Sequence, residues 1–289
     1  MAVVTGAGRG LGRAYAHLLA ARGARVVVND LGASMDGVGA DAEPAERVVA
    51  EIVAAGGSAI ADNSDVASVD GAAAAVAAAV DRFGRIDVLV ANAGIIRWAA
   101  FPDADAENLA SHLAVHVSGS FHAARAAWPH LVEQRYGRIV LTTSSGLLGL
   151  PNNTSYATAK GAVVGMARSL ATAGAAYGVK VNLIAPAATT RMAGSAGPPM
   201  PAESVAPMVA FLAHEDCPVT GEIYVAGAGR FARLFIASTE GHVHEGGTPT
   251  VEDVADHWAA INDESGFFVP TNLREWSARF LAHLPSDTS

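Results

Sequence analysis

Residues 2–30 read as a strand, a glycine-rich turn, a helix and a second strand, an order that leaves few folds open. Ala2, Val3 and Val4 form a short apolar run that enters Thr-Gly-Ala-Gly-Arg-Gly-Leu-Gly at positions 5–12. Residues 13–22 carry helical spacing through Leu18 and Leu19, and residues 24–29 are a second apolar strand ending at Asp30. Gly6, Gly10 and Gly12 let the backbone turn tightly and approach a diphosphate, whose charge is met by free amides and the positive end of the helix dipole. Asp30 stands 18 residues after Gly12, where a carboxylate can accept hydrogen bonds from an adenosine ribose. No Lys or Arg lies between Arg25 and Arg47 to receive a 2′-phosphate, which favours NAD over NADP. Arg9, inside the turn, is the one basic group that argues the other way. Alone, such a turn serves a methyltransferase loop or a structural bend equally well.

Tyr156 and Lys160 supply a second pattern. At i, i+4 they share a helix face, so the ammonium is expected to favour the phenolate of a group that normally titrates near pH ~10. Most Tyr-x-x-x-Lys spacings are solvated helix surface, but Lys160 and Lys180 are the only lysines against 17 arginines. A lysine in this slot is therefore less expected as surface filler.

Further landmarks follow in order. Asp65-Val66 comes after a third strand, and Asn92-Ala93-Gly94 after a fourth at 87–91. A fifth strand, 138–142, delivers the hydroxyls of Thr143, Ser144 and Ser145, and Val-Asn-Leu-Ile-Ala-Pro at 181–186 is a sixth. Together with the glycine turn and the Tyr156/Lys160 pair, these motifs resemble the short-chain dehydrogenase/reductase family, in its compact single-domain branch. The resemblance implies an α/β fold, a Rossmann-type doubly wound parallel sheet with helices on both faces. It also implies hydride transfer between a secondary alcohol and a ketone, with Tyr156 as acid/base, Ser144 holding the substrate oxygen, and Lys160 on the nicotinamide ribose. Cofactor contacts are implied for Gly6, Arg9, Gly10, Leu11, Gly12, Asp30, Asp65, Val66, Asn92, Ala93, Gly94, Tyr156, Lys160, Pro186 and Thr189.

Two positions depart from the family pattern. Ser144 precedes Tyr156 by 12 residues where 13 is usual, leaving Thr143 as the alternative hydroxyl. His116 stands where the family commonly has an asparagine that anchors a proton-relay water; an imidazole there either serves the relay or is satisfied by backbone. Looser matches, at 27–32, the insertion 33–44, 116–121, 184–186 with Arg191-Met192, and 225–229, resemble the (3R)-hydroxyacyl-CoA dehydrogenase part of peroxisomal multifunctional enzyme type 2 and its bacterial relatives. They imply a 3-hydroxyacyl-CoA/3-oxoacyl-CoA pair as substrate. Against this, residues 192–229 contain no Lys or Arg for coenzyme A phosphates, and the apolar lid sequence Pro-Pro-Met-Pro at 198–201 suits a neutral ketone, steroid or terpenoid alcohol. Arg97, Arg191, Arg230 and Arg233 are the cations within reach of a phosphate.

With half of its 289 residues apolar, the chain can bury one sizeable core, so residues 1–229 are expected to form the catalytic domain and 230–289 a C-terminal helical extension. A net charge of −9 disfavours nucleic acid. Cys217 has no intrachain disulfide partner, and the sequence shows no signal peptide or membrane-length apolar run, so a cytoplasmic setting is expected. Alanine-rich helices at 104–125 and 157–176 have small faces suited to a homodimer or homotetramer, or to packing within one subunit. In the extension, Thr250 and Asp253 form a capping-box pattern opening a helix at 251–261, with another at 273–284. Its aromatic residues Trp258, Phe267, Phe268, Trp276 and Phe280 are expected to pack the extension onto the core or a neighbour, or to line the substrate pocket. His242 and His244 lie in a glycine-rich loop without a third ligand nearby, so no metal is expected. A non-catalytic, dinucleotide-binding regulator is the alternative to an enzyme.

Overall fold

The computed structural model describes residues 1–190 and 200–284. Seven parallel strands, β1 (Ala2–Thr5), β2 (Arg25–Asn29), β3 (Ser58–Asp62), β4 (Val88–Ala91), β5 (Gly137–Thr142), β6 (Val179–Pro186) and β7 (Ile223–Gly227), stand in the order 3-2-1-4-5-6-7. Strand β8 (Arg230–Leu234) follows β7 at the edge of the sheet. Ala228 and Gly229 between them both have positive φ (50° and 75°), the pair that a two-residue hairpin turn demands. The sequence-based division at Gly229 falls in this turn.

Both faces of the parallel strands are covered, so their side chains are apolar in runs and not in alternation. Val3, Val4, Val26, Val27, Val28, Leu89, Val90, Val140, Leu141, Leu183 and Ile184 are all fully buried. The covering helices are α1 (Gly10–Ala21), α2 (Glu43–Ala54), α3 (Val69–Phe83), α4 (Ala106–His112), α5 (Gly119–Glu133), α6 (Thr154–Gly174) and α7 (Ala206–Leu212). Helix α3 shows why alanine runs serve here. Ala72, Ala75, Val76 and Ala79 make a thin buried face, Ser68 caps the start by accepting from the Gly71 amide, and Gly84 ends it in the left-handed conformation. Sheet order reverses between β1 and β4, which opens a crevice at the carboxyl ends of these strands.

The expected single helix at 104–125 is three pieces. Between α4 and α5, residues Leu113–Ser118 wind as a π-helix. The extra residue per turn is invisible to a 3.6-residue periodicity, and such bulges are frequent at functional sites.

Contacts divide the chain into two compact units, residues 1–233 and from 234 onward. The second contains α8 (Val251–Asp256), α9 (Trp258–Ile261) and α10 (Leu273–Phe280). Thr250 and Asp253 form the capping box, but the expected helix 251–261 breaks at His257, whose ring bonds back to the Asp253 carbonyl at 2.8 Å. Within this unit Phe235 stacks on Phe267 and Trp276 on Phe280. His242 stacks on His257 with ring centres 3.6 Å apart, and among the described residues no group of three metal-ligating side chains occurs. Among the same residues no helix is long and apolar enough to cross a membrane.

Candidate active site

The turn between β1 and α1 is shaped by what its glycines lack. Gly6 and Gly10 have φ of 63° and 51°, the left-handed region that side chains disfavour. A Cβ on Gly12 would lie 2.2 Å from the Gly6 carbonyl oxygen, and one on Gly6 would lie 2.7 Å from Cα of Ala93. Asn92 fastens the turn to β4: its side-chain amide donates to the Thr5 and Gly6 carbonyls at 3.1 Å each. The Thr5 hydroxyl accepts from the Asn92 and Ala93 amides at 3.0 and 3.1 Å. The glycine turn and Asn92-Ala93-Gly94 are thus one rigid unit. It opens onto the start of α1, a cradle that a dinucleotide diphosphate fits and added methyl groups would fill.

Asp30 lies at the tip of β2, its carboxylate accepting from the Gly8 and Gly32 amides at 2.7 Å each. These bonds aim it at the glycine turn, with acceptor capacity left for a ribose. Arg9 donates to the Ala33 carbonyl (3.2 Å), and Leu11 packs its side chain against the core. Asp65 orders the loop after β3 through the Ala67 amide (2.9 Å), and Val66 is buried against Gly119. Pro186 ends β6 beside Ala226. Thr189 and Met200 bond each other twice, at 2.8 and 3.0 Å. Most of the expected lid, with Arg191, Met192, Pro198 and Pro199, lies outside the described residues.

On the other side of the crevice, β5 and α6 bring Ser144, Tyr156 and Lys160 together. The Ser144 hydroxyl sits beside the Tyr156 ring, both within 3.2 Å of where a Cβ on Gly146 would lie, and its oxygen accepts from the Gly146 amide at 3.0 Å. The Thr143 hydroxyl is buried and donates to the Lys160 carbonyl at 2.8 Å. Of the two candidate hydroxyls, then, Ser144 is the one at the phenol. Thr143 ties β5 to α6.

The expected electrostatics of the pair need correction. Burial raises the Tyr156 pKa above its usual value, and the neighbouring Ser144 hydroxyl is the influence that lowers it. Lys160 does not outweigh burial for two reasons. Its ammonium donates to the Thr142 carbonyl at 2.8 Å and lies 5.5 Å from the phenol ring centre. It is itself so buried that its pKa falls to about 7, leaving it partly neutral at physiological pH.

His116 is buried on the π-helix, edge-on to Tyr156 with ring centres 5.4 Å apart. Its Nε2 donates to the Ile95 carbonyl at 2.8 Å, so backbone satisfies one nitrogen. Nδ1 is buried without a protein partner among the described residues, an acceptor left over beside Lys160. Burial holds this imidazole well below its ordinary pKa, hence neutral. The sequence reading missed His112, which is also fully buried, stacks on His116 and meets Tyr156 edge-on. Its Nδ1 donates to the Asn108 carbonyl (2.8 Å) and its Nε2 accepts from the Arg97 amide (3.3 Å). The i, i+4 spacing of the two histidines was the available signal.

Residues 1–199 match the sequence model of the short chain dehydrogenases. The chain belongs to that family. A protein of Mycobacterium tuberculosis named as a short-chain type dehydrogenase/reductase is 46% identical over 270 residues, covering 91% of this chain and 94% of that protein. Mouse peroxisomal multifunctional enzyme type 2 is 42% identical over 281 residues, covering 94% of this chain but only 38% of the mouse protein. The crystal structure of a short chain dehydrogenase from Mycobacterium avium superposes with a TM-score of 0.79 at 35% identity, covering 92% and 96% of the two chains. As a short-chain dehydrogenase the protein is an oxidoreductase acting on alcohols or ketones.

In this short-chain dehydrogenase the buried Lys160 has a measurable consequence for stability. The unfolded chain, with an ordinary lysine near 10.5, holds more protons than the folded chain between pH 7 and 10.5. Stability therefore rises with pH across that window and carries the full burial penalty below it. Thermal melts of nucleotide-free protein from pH 7 to 9.5 should show this rise, and Lys160→Met should flatten it. An unchanged slope in the variant would show that Lys160 is not the group responsible.

Proposed function

We propose that the protein is an NAD-dependent dehydrogenase that interconverts a 3-hydroxyacyl-CoA and its 3-oxoacyl-CoA. The observation that carries the chemistry is the Ser144 hydroxyl beside Tyr156, with Lys160 one helical turn away and the glycine cradle across the crevice. A nicotinamide dinucleotide held by the cradle and Asp30 supplies the hydride acceptor or donor. Everything else is done by the chain. Ser144 holds the substrate oxygen and stabilises negative charge developing on it. In reduction the Tyr156 phenol donates a proton to that oxygen; in oxidation its phenolate removes the proton from the alcohol. Lys160 and the neutral, acceptor-bearing His116 are the next polar groups behind the phenol, a path for replacing that proton.

The resemblance to peroxisomal multifunctional enzyme type 2 supports the thioester substrate. A second reading, a neutral hydrophobic ketone or alcohol, is favoured by the loops beside the site. Trp98, Phe101, Leu148 and Leu150 are solvent-exposed there, and the Ala99 amide joins their two loops by donating to the Asn152 carbonyl at 3.1 Å. The Arg97 guanidinium is taken by the Asp36 carbonyl (2.8 Å) and Glu107 (3.3 Å).

The test is nicotinamide absorbance with NADH and acetoacetyl-CoA, with NADPH run in parallel. Rapid oxidation of NADH alone is expected. NADH binding without turnover on the thioester would transfer the proposal to the neutral substrates. We also propose a homodimer or homotetramer built on α6, where Gly161 and Gly165 face open space.

A further inference from the structure

We propose that residues 33–40 form a strap past the dinucleotide crevice, clasped by Arg97, and that this strap sharpens the choice of NAD by holding Arg9. The inference rests on the NAD reading above and extends it to residues that reading does not use. The segment leaves the tip of β2 and folds on itself: the Ser34 amide donates to the Val38 carbonyl at 2.9 Å and the Gly37 amide to the Ser34 carbonyl at 3.1 Å. It then reaches the chain that follows β4. There the Met35 carbonyl accepts from the Ile96 amide at 3.0 Å, and the Asp36 carbonyl accepts from Arg97 Nε at 2.8 Å. Gly37, with φ of 89°, approaches so closely that a Cβ would lie 3.1 Å from the Ile95 side chain.

Strands β2 and β4 both pair with β1, so a link between their tips passes the end of β1, where the glycine turn begins. That link touches the turn. Arg9 Nη1 donates to the Ala33 carbonyl at 3.2 Å, at the near end of the strap. Arg9 is the one basic group in the turn, and here a main-chain carbonyl occupies it, while Asp30 beside it presents negative charge to a 2′-phosphate. The strap itself adds Asp36 and no cation, and Asp41 follows it directly.

Arg97 is a positioning residue in this scheme, and its backbone is fixed independently of its guanidinium. Its amide donates to His112 Nε2 (3.3 Å) and its carbonyl accepts from the Asn108 side chain at 3.0 Å. Truncating the side chain therefore removes the clasp and leaves the loop in place. The pair with Glu107 adds little, because that carboxylate is 81% exposed.

The experiment measures NADH and NADPH affinity by nucleotide fluorescence and NADH release by stopped flow, on the parent, Arg97→Ala, and Arg97→Ala combined with Arg9→Ala. NADH release should be faster in Arg97→Ala, by at most about tenfold, the whole worth of the charged hydrogen bond removed. The freed Arg9 should narrow the preference for NADH over NADPH, and the double variant should lose that narrowing. Arg97→Met, which keeps the aliphatic stem, repeats the test if the alanine variant is poorly folded. An Arg97 variant with the parent's release rate and nucleotide ratio overturns the strap alone. A parent that prefers NADPH overturns the NAD reading and the selectivity claim with it.

Discussion

Replacing Tyr156 by phenylalanine should lower kcat by about 10²–10⁴-fold, the usual worth of a positioned acid or base, while NADH binds with nearly parental affinity. The substitution removes one oxygen and leaves the ring, which packs edge-on against His112 and His116. Neither the cradle nor Asp30 depends on the phenol, so a loss confined to kcat separates chemistry from binding. Ser144→Ala should lose less, because it removes a donor to the substrate oxygen but leaves the proton carrier. Thr143→Val should lose mainly stability, since that hydroxyl bonds the Lys160 carbonyl inside the protein. Near-normal turnover by Tyr156→Phe would sink the assignment. Because burial raises the phenol pKa, the group is protonated and ready to donate at neutral pH. Alcohol oxidation, which needs the phenolate, should therefore speed up as pH rises above neutrality, and ketone reduction should not.

The parts of this site that were legible in the sequence are those in which a residue type answers a backbone demand. Gly6, Gly10 and Gly12 announce the turn because only glycine tolerates those dihedrals and that proximity, and Asp30 follows at the length of one helix and one strand. What was not legible depends on environment. Tyr156 and Lys160 sit at the predicted spacing, yet the direction of the phenol pKa turns on how far the fold withdraws the pair from water. Spacing cannot report burial. The choice between Thr143 and Ser144 was open because consecutive residues leaving a strand point to opposite sides, and only β5 in place shows which side faces the phenol. The π-helix escaped for a related reason. Its six residues carry no motif that separates this winding from an α-helix, and the stacking of His112 on His116 and the bond from His116 to the Ile95 carbonyl appear only once the chain is folded. The insertion at 33–44 was visible as extra length, but its contacts with Ile96 and Arg97 are made by main-chain carbonyls, which every residue possesses.

Two glycine-to-alanine changes, both within helices, should move stability in opposite directions. Helix propensity alone favours alanine at either site by about 1 kcal/mol. At Gly161, on α6, a Cβ meets nothing within 4 Å, so the propensity gain should appear as a higher melting temperature of the monomer. If α6 pairs with a second copy, the same methyl group enters that interface, and sedimentation should show a shift toward smaller species. At Gly12, on α1, sterics win. The new Cβ would lie 2.2 Å from the Gly6 carbonyl oxygen and 2.7 Å from the Asn92 side-chain amide. Neither neighbour can yield cheaply, because these two groups bond each other and hold the turn to β4. Overpacking against backbone together with a broken hydrogen bond should cost on the order of 3 kcal/mol, well beyond the propensity gain. Displacing the Gly6 carbonyl also deforms the cradle, so NADH affinity should fall by about 100-fold or more, since an error near 1 Å in a positioned site can cost that much. Calorimetry and nucleotide fluorescence on Gly12→Ala read the two losses separately. A variant that melts lower but binds NADH like the parent would mean that the turn supports the fold without forming the dinucleotide site.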